Sequence, residues 1–112
     1  MRTFLISAAF LTVAASGASA GEPILGKWRA PGGGIVEVTS CGGSFCAEVV
    51  SGRHKGKTAG RMSGSDGTYR GTVTDPRDDK TYSGNAAVRG DVLKLQGCAL
   101  KVFCKTQTWT RT

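Results

Sequence analysis

The stretch that decides the fold is IVEVTSCGGSFCAEVV, residues 35–50. Its first part alternates apolar and polar side chains, with Val36 and Val38 separated by Glu37. A period of two is typical of a β-strand with one buried face, because successive side chains point to opposite sides of the sheet. The central glycines suit a tight turn. The stretch therefore predicts a β-hairpin with strands at 35–41 and 45–50.

Short alternating runs separated by turn residues continue along the rest of the chain. No window shows apolar residues at the three- and four-residue spacing of a helix. The 17 glycines among 112 residues favour many tight turns. Asp-Pro-Arg-Asp at 75–78 predicts a type I turn in which Asp75 forms an Asx turn. Further strands are predicted at 24–29, 58–62, 68–74, 80–88, 92–96 and 104–111.

The connections between these strands are too short for the crossovers that parallel strands need. The strands are therefore expected to pair antiparallel in chain order. Closing such a meander removes its unpaired edges. The predicted fold class is all-β, a small antiparallel up-and-down barrel of about eight strands.

The first 20 residues have the pattern of a secretory signal peptide. Arg2 gives a basic start, residues 4–13 are mostly apolar, and Ala18-Ser19-Ala20 offers small side chains to a signal peptidase. The apolar run is shorter than the roughly 20 residues that span a bilayer. We expect cleavage after Ala20 and export to the periplasm or the medium, leaving a single barrel domain at 21–112. No transmembrane span is expected in that domain.

The domain left after cleavage is small and basic. Without Arg2, its 14 basic and eight acidic side chains give a net charge of +6. A domain of this size buries only a modest fraction of its surface, so cross-links would help to stabilise it. An anionic partner would be attracted to such a charge.

All four cysteines, Cys41, Cys46, Cys98 and Cys104, follow the predicted cleavage site. An even number of cysteines in an exported chain predicts disulfides. Each close pair flanks a predicted turn, which favours 41–46 and 98–104, although the two other pairings stay open. The spacings are unlike those of zinc knuckles, so no metal site is expected.

An ordered set of short motifs resembles one known family, the exported lipocalin-like proteins of domain of unknown function 2147. The resemblance covers nearly the whole chain after the predicted cleavage site. It implies a small antiparallel barrel in the periplasm or outside the cell, without known catalytic activity. The motifs are Gly26-Lys27-Trp28, residues 41–46 (CGGSFC), Asp75-Pro76, residues 80–82 (KTY), Gly97-Cys98, Cys104 and residues 107–111 (QTWTR).

Two features depart from that family. The segment 51–62 is short and basic and lacks the usual Asn-Pro motif, so this barrel is expected to have less of a lid. Asp79 stands where the family usually has a glycine, so the turn after Asp75-Pro76 is expected to differ in shape.

The resemblance also implies roles for aromatic side chains. It places Trp28 at the closed end of the barrel, the barrel floor, with Arg111 of the last strand lying over its ring. Tyr69, Tyr82 and Trp109 are candidates for lining the interior or contacting a ligand, although aromatic side chains most often simply pack in the core.

No arrangement of residues in the sequence predicts an enzyme. His54 is the one histidine, and no nearby group completes a catalytic triad. The aspartates at 75–79 do not follow the EF-hand pattern. No catalytic residue and no cofactor is therefore expected. A nucleic-acid partner is not expected either, because the basic segment 51–61 contains no aromatic side chain.

Two functions without catalysis remain. The first is binding of a small apolar or amphipathic ligand inside the barrel, since small inward residues could leave a cavity. Those residues are Ala47, Gly71, Gly84 and Ala86. The second is an envelope- or protein-binding module that meets an anionic surface. Its candidate patch is Arg53, Lys55, Lys57 and Arg61.

Overall fold

A computed structural model describes residues 21–99 and 103–112, and the predicted signal peptide at 1–20 lies outside them. Eight strands pair antiparallel in chain order and β8 returns to β1, so the sheet is a closed barrel. The predicted fold class is confirmed. The strands are β1 (Gly26–Arg29), β2 (Ile35–Cys41), β3 (Ser44–Ser51), β4 (Thr58–Ser65), β5 (Thr68–Asp75), β6 (Lys80–Arg89), β7 (Val92–Ala99) and β8 (Phe103–Arg111).

Two strands are three residues longer than the sequence predicts, and β1 begins at Gly26 rather than at residue 24. Strand β4 continues to Ser65, through residues predicted as a turn, and β7 continues to Ala99 rather than ending at Gln96. The added residues are small and have weak strand propensity. They are held by neighbouring strands, as in the pairing of Ser63 with Arg70, so tertiary context overrides local preference.

The two ends of the barrel are different. At the floor end lie the turns of three hairpins, β2–β3, β4–β5 and β6–β7, together with both ends of the described chain. At the other end, the mouth, lie the connections 30–34, 52–57 and 76–79, the end of β7 at Ala99 and the start of β8 at Phe103.

The barrel closes over only a short seam. Only Trp28 with Arg111 and Arg29 with Thr110 pair between β1 and β8. Strand β1 ends at Arg29 because Pro31 follows and the chain turns back into β2. Residues 103–109 of β8 therefore extend towards the mouth without a β1 partner.

The core is the inward face of this barrel. Trp28, Tyr69 and Leu93 are its largest fully buried side chains, and Val38 and Trp109 pack in the same cluster. None of the described polar or charged residues is buried. Apolar and polar residues alternate along the strands, so the apolar ones face a small interior and the polar ones face outward.

Both disulfides are local. One lies near the floor of the barrel and the other near its mouth. Cys98 and Cys104 are register partners on β7 and β8. The bond between Cys41 and Cys46 near the floor is diagonal, because Cys46 itself faces Thr39. Two disulfides in so small a domain fit an oxidising setting.

Residues 21–99 and 103–112 contain no helix with the length and apolar character needed to cross a bilayer.

Three glycines lie side by side on the inward face of β5, β6 and β7. Gly71 pairs with Gly84, and Gly84 pairs with Gly97. A methyl group on Gly71 would overlap the Arg61 carbonyl oxygen of β4, and one on Gly84 would overlap the Val73 side chain. A methyl group on Gly97 would make ordinary contacts, 3.8 Å from Val73 Cβ. Of these three glycines, Gly71 is needed for the close approach of a neighbouring backbone and Gly84 for that of a side chain, whereas Gly97 has room.

This difference gives a matched pair of variants. Gly71→Ala should destabilise the protein by about 1–3 kcal/mol because backbone must move to admit the methyl group. Gly97→Ala should change stability by less than about 1 kcal/mol. Thermal unfolding of both variants measures the difference, and an equal loss of stability would show that close strand packing does not explain Gly71.

Candidate functional site

Trp28 and Arg111 meet at the floor of the barrel. The Trp28 side chain is fully buried, and its indole Nε1 donates a 2.9 Å hydrogen bond to the Ile24 carbonyl oxygen. The Arg111 Cζ atom lies 4.1 Å from the centroid of the Trp28 ring. This distance is within the range of a cation–π interaction.

Arg111 also holds the chain that leads into β1. Its guanidinium donates to the carbonyl oxygens of Leu25, at 3.1 Å, and Pro23, at 2.9 Å. Its Nε lies 3.5 Å from a carboxylate oxygen of Asp91 in the β6–β7 turn. One side chain thus joins β8, the segment before β1 and a floor turn.

Tyr69 and Glu22 form a second contact across the floor. The Tyr69 hydroxyl donates a 2.7 Å hydrogen bond to Glu22 Oε1, which also accepts from the Asp66 amide at 3.2 Å. The Phe45 ring meets Tyr69 edge-on, with 5.5 Å between centroids. Burial and the Glu22 carboxylate raise the pKa of Tyr69 to about 12. Tyr69 therefore fills the floor end of the barrel and links β5 to the segment before β1.

Because the pKa of Tyr69 is raised, the protein is expected to lose stability as the pH becomes strongly alkaline. The neutral phenol is favoured in the folded state, so its contribution is complete below the ordinary tyrosine pKa of 10.0 and is lost as pH rises towards about 12. Tyr69→Phe should cost about 1–2 kcal/mol at neutral pH by removing the hydrogen bond to Glu22. The variant should also lose less stability than the parent between pH 10 and 12.

Denaturant unfolding across that pH range measures both effects, with Tyr82→Phe as the matched control. If Tyr69→Phe and the parent show the same alkaline loss of stability, the role given to the Tyr69 hydroxyl is wrong.

The interior of the barrel is nearly filled. Its cavity has a volume of about 30 Å³ and is lined by apolar side chains such as Val38, Met62 and Trp109. One water molecule occupies about the same volume in liquid water. The space beside Gly84 is occupied by Val73 and Met62.

The small residues singled out in the sequence therefore do not open a ligand cavity within the described barrel. Ala47 and Ala86 line the same small space as Met62. Gly71 and Gly84 allow neighbouring strands and side chains to come close instead.

The three candidate ligand-contacting aromatics are spread along the barrel. Tyr69 belongs to the floor. Trp109 is 7% exposed and its indole Nε1 donates a 2.9 Å hydrogen bond to Gln107 Oε1. Tyr82 is half-buried and lies towards the mouth. No single site contains all three.

The four candidate cations of the basic patch do not form one surface either. Arg53 and Lys55 are exposed in the mouth connection 52–57. Lys57 forms a 3.2 Å ion pair with Asp79. Arg61 lies further along β4, on the outer face, and donates to the Cys41 carbonyl oxygen at 3.4 Å.

The Lys57–Asp79 ion pair joins two connections into one mouth rim. Asp79 has a left-handed backbone, with φ of 61°, a conformation in which a glycine would be unstrained. Its amide donates to the Asp75 carbonyl oxygen at 2.8 Å, so the predicted type I turn is part of a wider loop. The ion pair was missed in the sequence because its partners are 22 residues apart.

Asp75 caps that loop, as an Asx turn predicts. Its Oδ1 accepts a 3.0 Å hydrogen bond from the Arg77 amide, and Arg77 Nη2 lies 2.6 Å from Oδ2. These bonds to Arg77, with a smaller effect of nearby His54, lower the pKa of Asp75 to about 2. His54 is half-buried in the rim. Within the described residues, no three His, Cys, Asp or Glu side chains are grouped to hold a metal ion.

Fold and site together define the class of protein as a small, closed, eight-stranded up-and-down barrel with a filled interior and two local disulfides. Residues 58–111, from β4 to β8, match the family described as "Uncharacterized protein conserved in bacteria (DUF2147)". This match confirms, over residues 58–111, the family resemblance drawn from the sequence. No curated protein and no solved structure gives a significant match.

Proposed function

We propose that this protein is a non-enzymatic, exported binding module of the bacterial envelope, periplasmic or secreted, which meets an anionic lipid surface with its mouth end. The observation that carries the proposal is the unequal charge of the two barrel ends. The filled interior and the oxidising setting suggested by the disulfides support it.

The size of the interior favours an external binding surface. Sites for organic ligands usually have volumes of about 300–1,000 Å³, whereas the cavity here is about 30 Å³. A small apolar ligand inside the barrel, the first function suggested by the sequence, would require the core around Met62 and Trp109 to open.

The charge of the mouth end favours an anionic partner. Segments 52–57, 75–80 and 103–105 carry six basic and three acidic side chains. The floor segments 21–26, 65–68, 89–92 and 111–112 carry two basic and three acidic ones. Such a difference orients a protein in front of a charged surface.

Ion pairs decide which mouth cations remain for a partner. Lys57 is paired with Asp79 and Arg77 with Asp75. Arg53, Lys55, Lys80 and Lys105 have no ion-pair partner among the described residues. Because these four are exposed on the β3–β4 connection, at the start of β6 and on β8, they suit a flat anionic surface better than a single small anion.

The experiment is binding of the disulfide-bonded protein to vesicles containing phosphatidylglycerol. Attraction between exposed charges weakens as the Debye length falls from about 10 Å at 0.1 M salt to about 3 Å at 1 M. We expect vesicle binding to decrease at least about tenfold over that range of salt. It should be absent with purely zwitterionic vesicles.

A matched pair of double variants separates the mouth end from overall charge. Arg53→Glu with Lys55→Glu should abolish vesicle binding. Arg70→Glu with Lys94→Glu changes net charge equally but on the exposed outer wall, and it should retain most of the binding. Equal loss in both would contradict a role for the mouth end, and no binding of the parent protein at low salt would contradict the proposal itself.

A further inference from the structure

Towards the mouth, strand β8 has side chains that point inward but are exposed to solvent. Trp109 is buried, and the alternation along β8 places Gln107, Lys105 and Phe103 on the same inward face. The hydrogen bond between Trp109 and Gln107 confirms that these two share a side. Phe103 is nonetheless 69% exposed. The inward face of β8 therefore continues beyond the packed core.

Strands β6 and β7 complete this inner face. Gly97 is the register partner of Lys105, and Ala99 is that of Phe103. A Cβ atom built on Gly97 would lie 4.0 Å from Tyr82 Cβ. Glycine thus leaves an open place between the Tyr82 and Lys105 side chains. We call Tyr82, Gly97, Ala99, Phe103 and Lys105 the mouth shelf.

Among the described residues, the short seam of the barrel leaves the shelf uncovered by β1. Strand β1 ends at Arg29 opposite Thr110, so it does not cover residues 103–109 of β8. Gly97 and Ala99 form the base of the shelf on β7, and Tyr82 on β6 and Phe103 and Lys105 on β8 flank it. Lys105 is exposed and has no acidic partner within ion-pair distance among the described residues.

We propose that the mouth shelf binds a single amphipathic anion, a molecule with one negatively charged head group on an aliphatic or aromatic tail. Lys105 pairs with the head group. The tail lies across Gly97 and Ala99 between the rings of Tyr82 and Phe103. Ala99 and the two rings offer apolar contact, and a lone cation beside them selects one anionic group.

This site does not use Arg53 or Lys55, the two mouth cations that the vesicle variant changes. Arg53 and Lys55 lie on the β3–β4 connection, whereas the shelf is built by β6, β7 and β8. The proposal therefore does not rest on lipid-surface binding, and each can fail without the other.

The test is calorimetric binding of monomeric decanoate, with 1-decanol as the neutral comparison. Lys105→Gln should weaken decanoate binding about tenfold through loss of the charge-assisted contact. It should leave 1-decanol binding unchanged. Lys94→Gln removes an exposed cation on the outward face of β7, and it should change neither.

A second variant tests the shelf by filling it. Gly97→Leu places a side chain between Tyr82 and Lys105, where a Cβ atom meets no close contact. Decanoate binding should fall at least about tenfold with the melting temperature nearly unchanged. If Gly97→Leu does not fold, Phe103→Ser removes one aromatic side of the shelf at an exposed position, and it should also weaken decanoate binding.

The binding results distinguish a free amphiphile held by the shelf from an anionic lipid surface held by Arg53 and Lys55. Decanoate binding that survives Arg53→Glu with Lys55→Glu supports a shelf that takes free amphiphiles. Undiminished decanoate binding in both Lys105→Gln and a folded shelf variant overturns the proposal. Equal weakening by Lys105→Gln and Lys94→Gln also overturns it, because net charge alone would then explain the binding.

Discussion

The short seam between β1 and β8 is the constraint on which the rest of the barrel depends. Two register pairs close the sheet, and the stacking of Arg111 on Trp28 reinforces them from the inner side. Because this contact lies near the floor, the barrel is sealed there and open along β8 at the mouth. Arg111 adds hydrogen bonds to the segment before β1, so one side chain aligns both ends of the sheet.

The filled interior has a similar local cause. Gly71 and Gly84 let adjacent strands and the Val73 side chain approach closely, and the large rings of Trp28, Tyr69 and Trp109 occupy much of the remaining volume. A barrel packed in this way offers its outer and mouth surfaces for binding rather than its centre. The mouth end also carries the exposed Phe103 and the cations Arg53, Lys55 and Lys105, which have no ion-pair partner among the described residues.

Much of this fold could be predicted from the sequence because its determinants are local. Alternation indicates the strands, and close cysteine spacing favours the two disulfides that the structure contains. Contacts between distant residues could not be read in this way. Glu22 with Tyr69 and Lys57 with Asp79 depend on how the strands are arranged in space. The small inward residues wrongly suggested a ligand cavity, because a glycine can allow neighbouring strands to pack closely as well as leave a void.

Amide hydrogen exchange measured by NMR tests the open seam most directly. The Arg111 amide donates to Asp91 and the Thr112 amide to Lys27, so successive β8 amides point alternately towards β7 and towards the seam. The account predicts slow exchange at Lys105 and Gln107, which face β7, and fast exchange at Thr106 and Thr108, which face the seam. Slow exchange at all four positions would show that β8 is covered along its length, and it would contradict a barrel that is closed only at its floor.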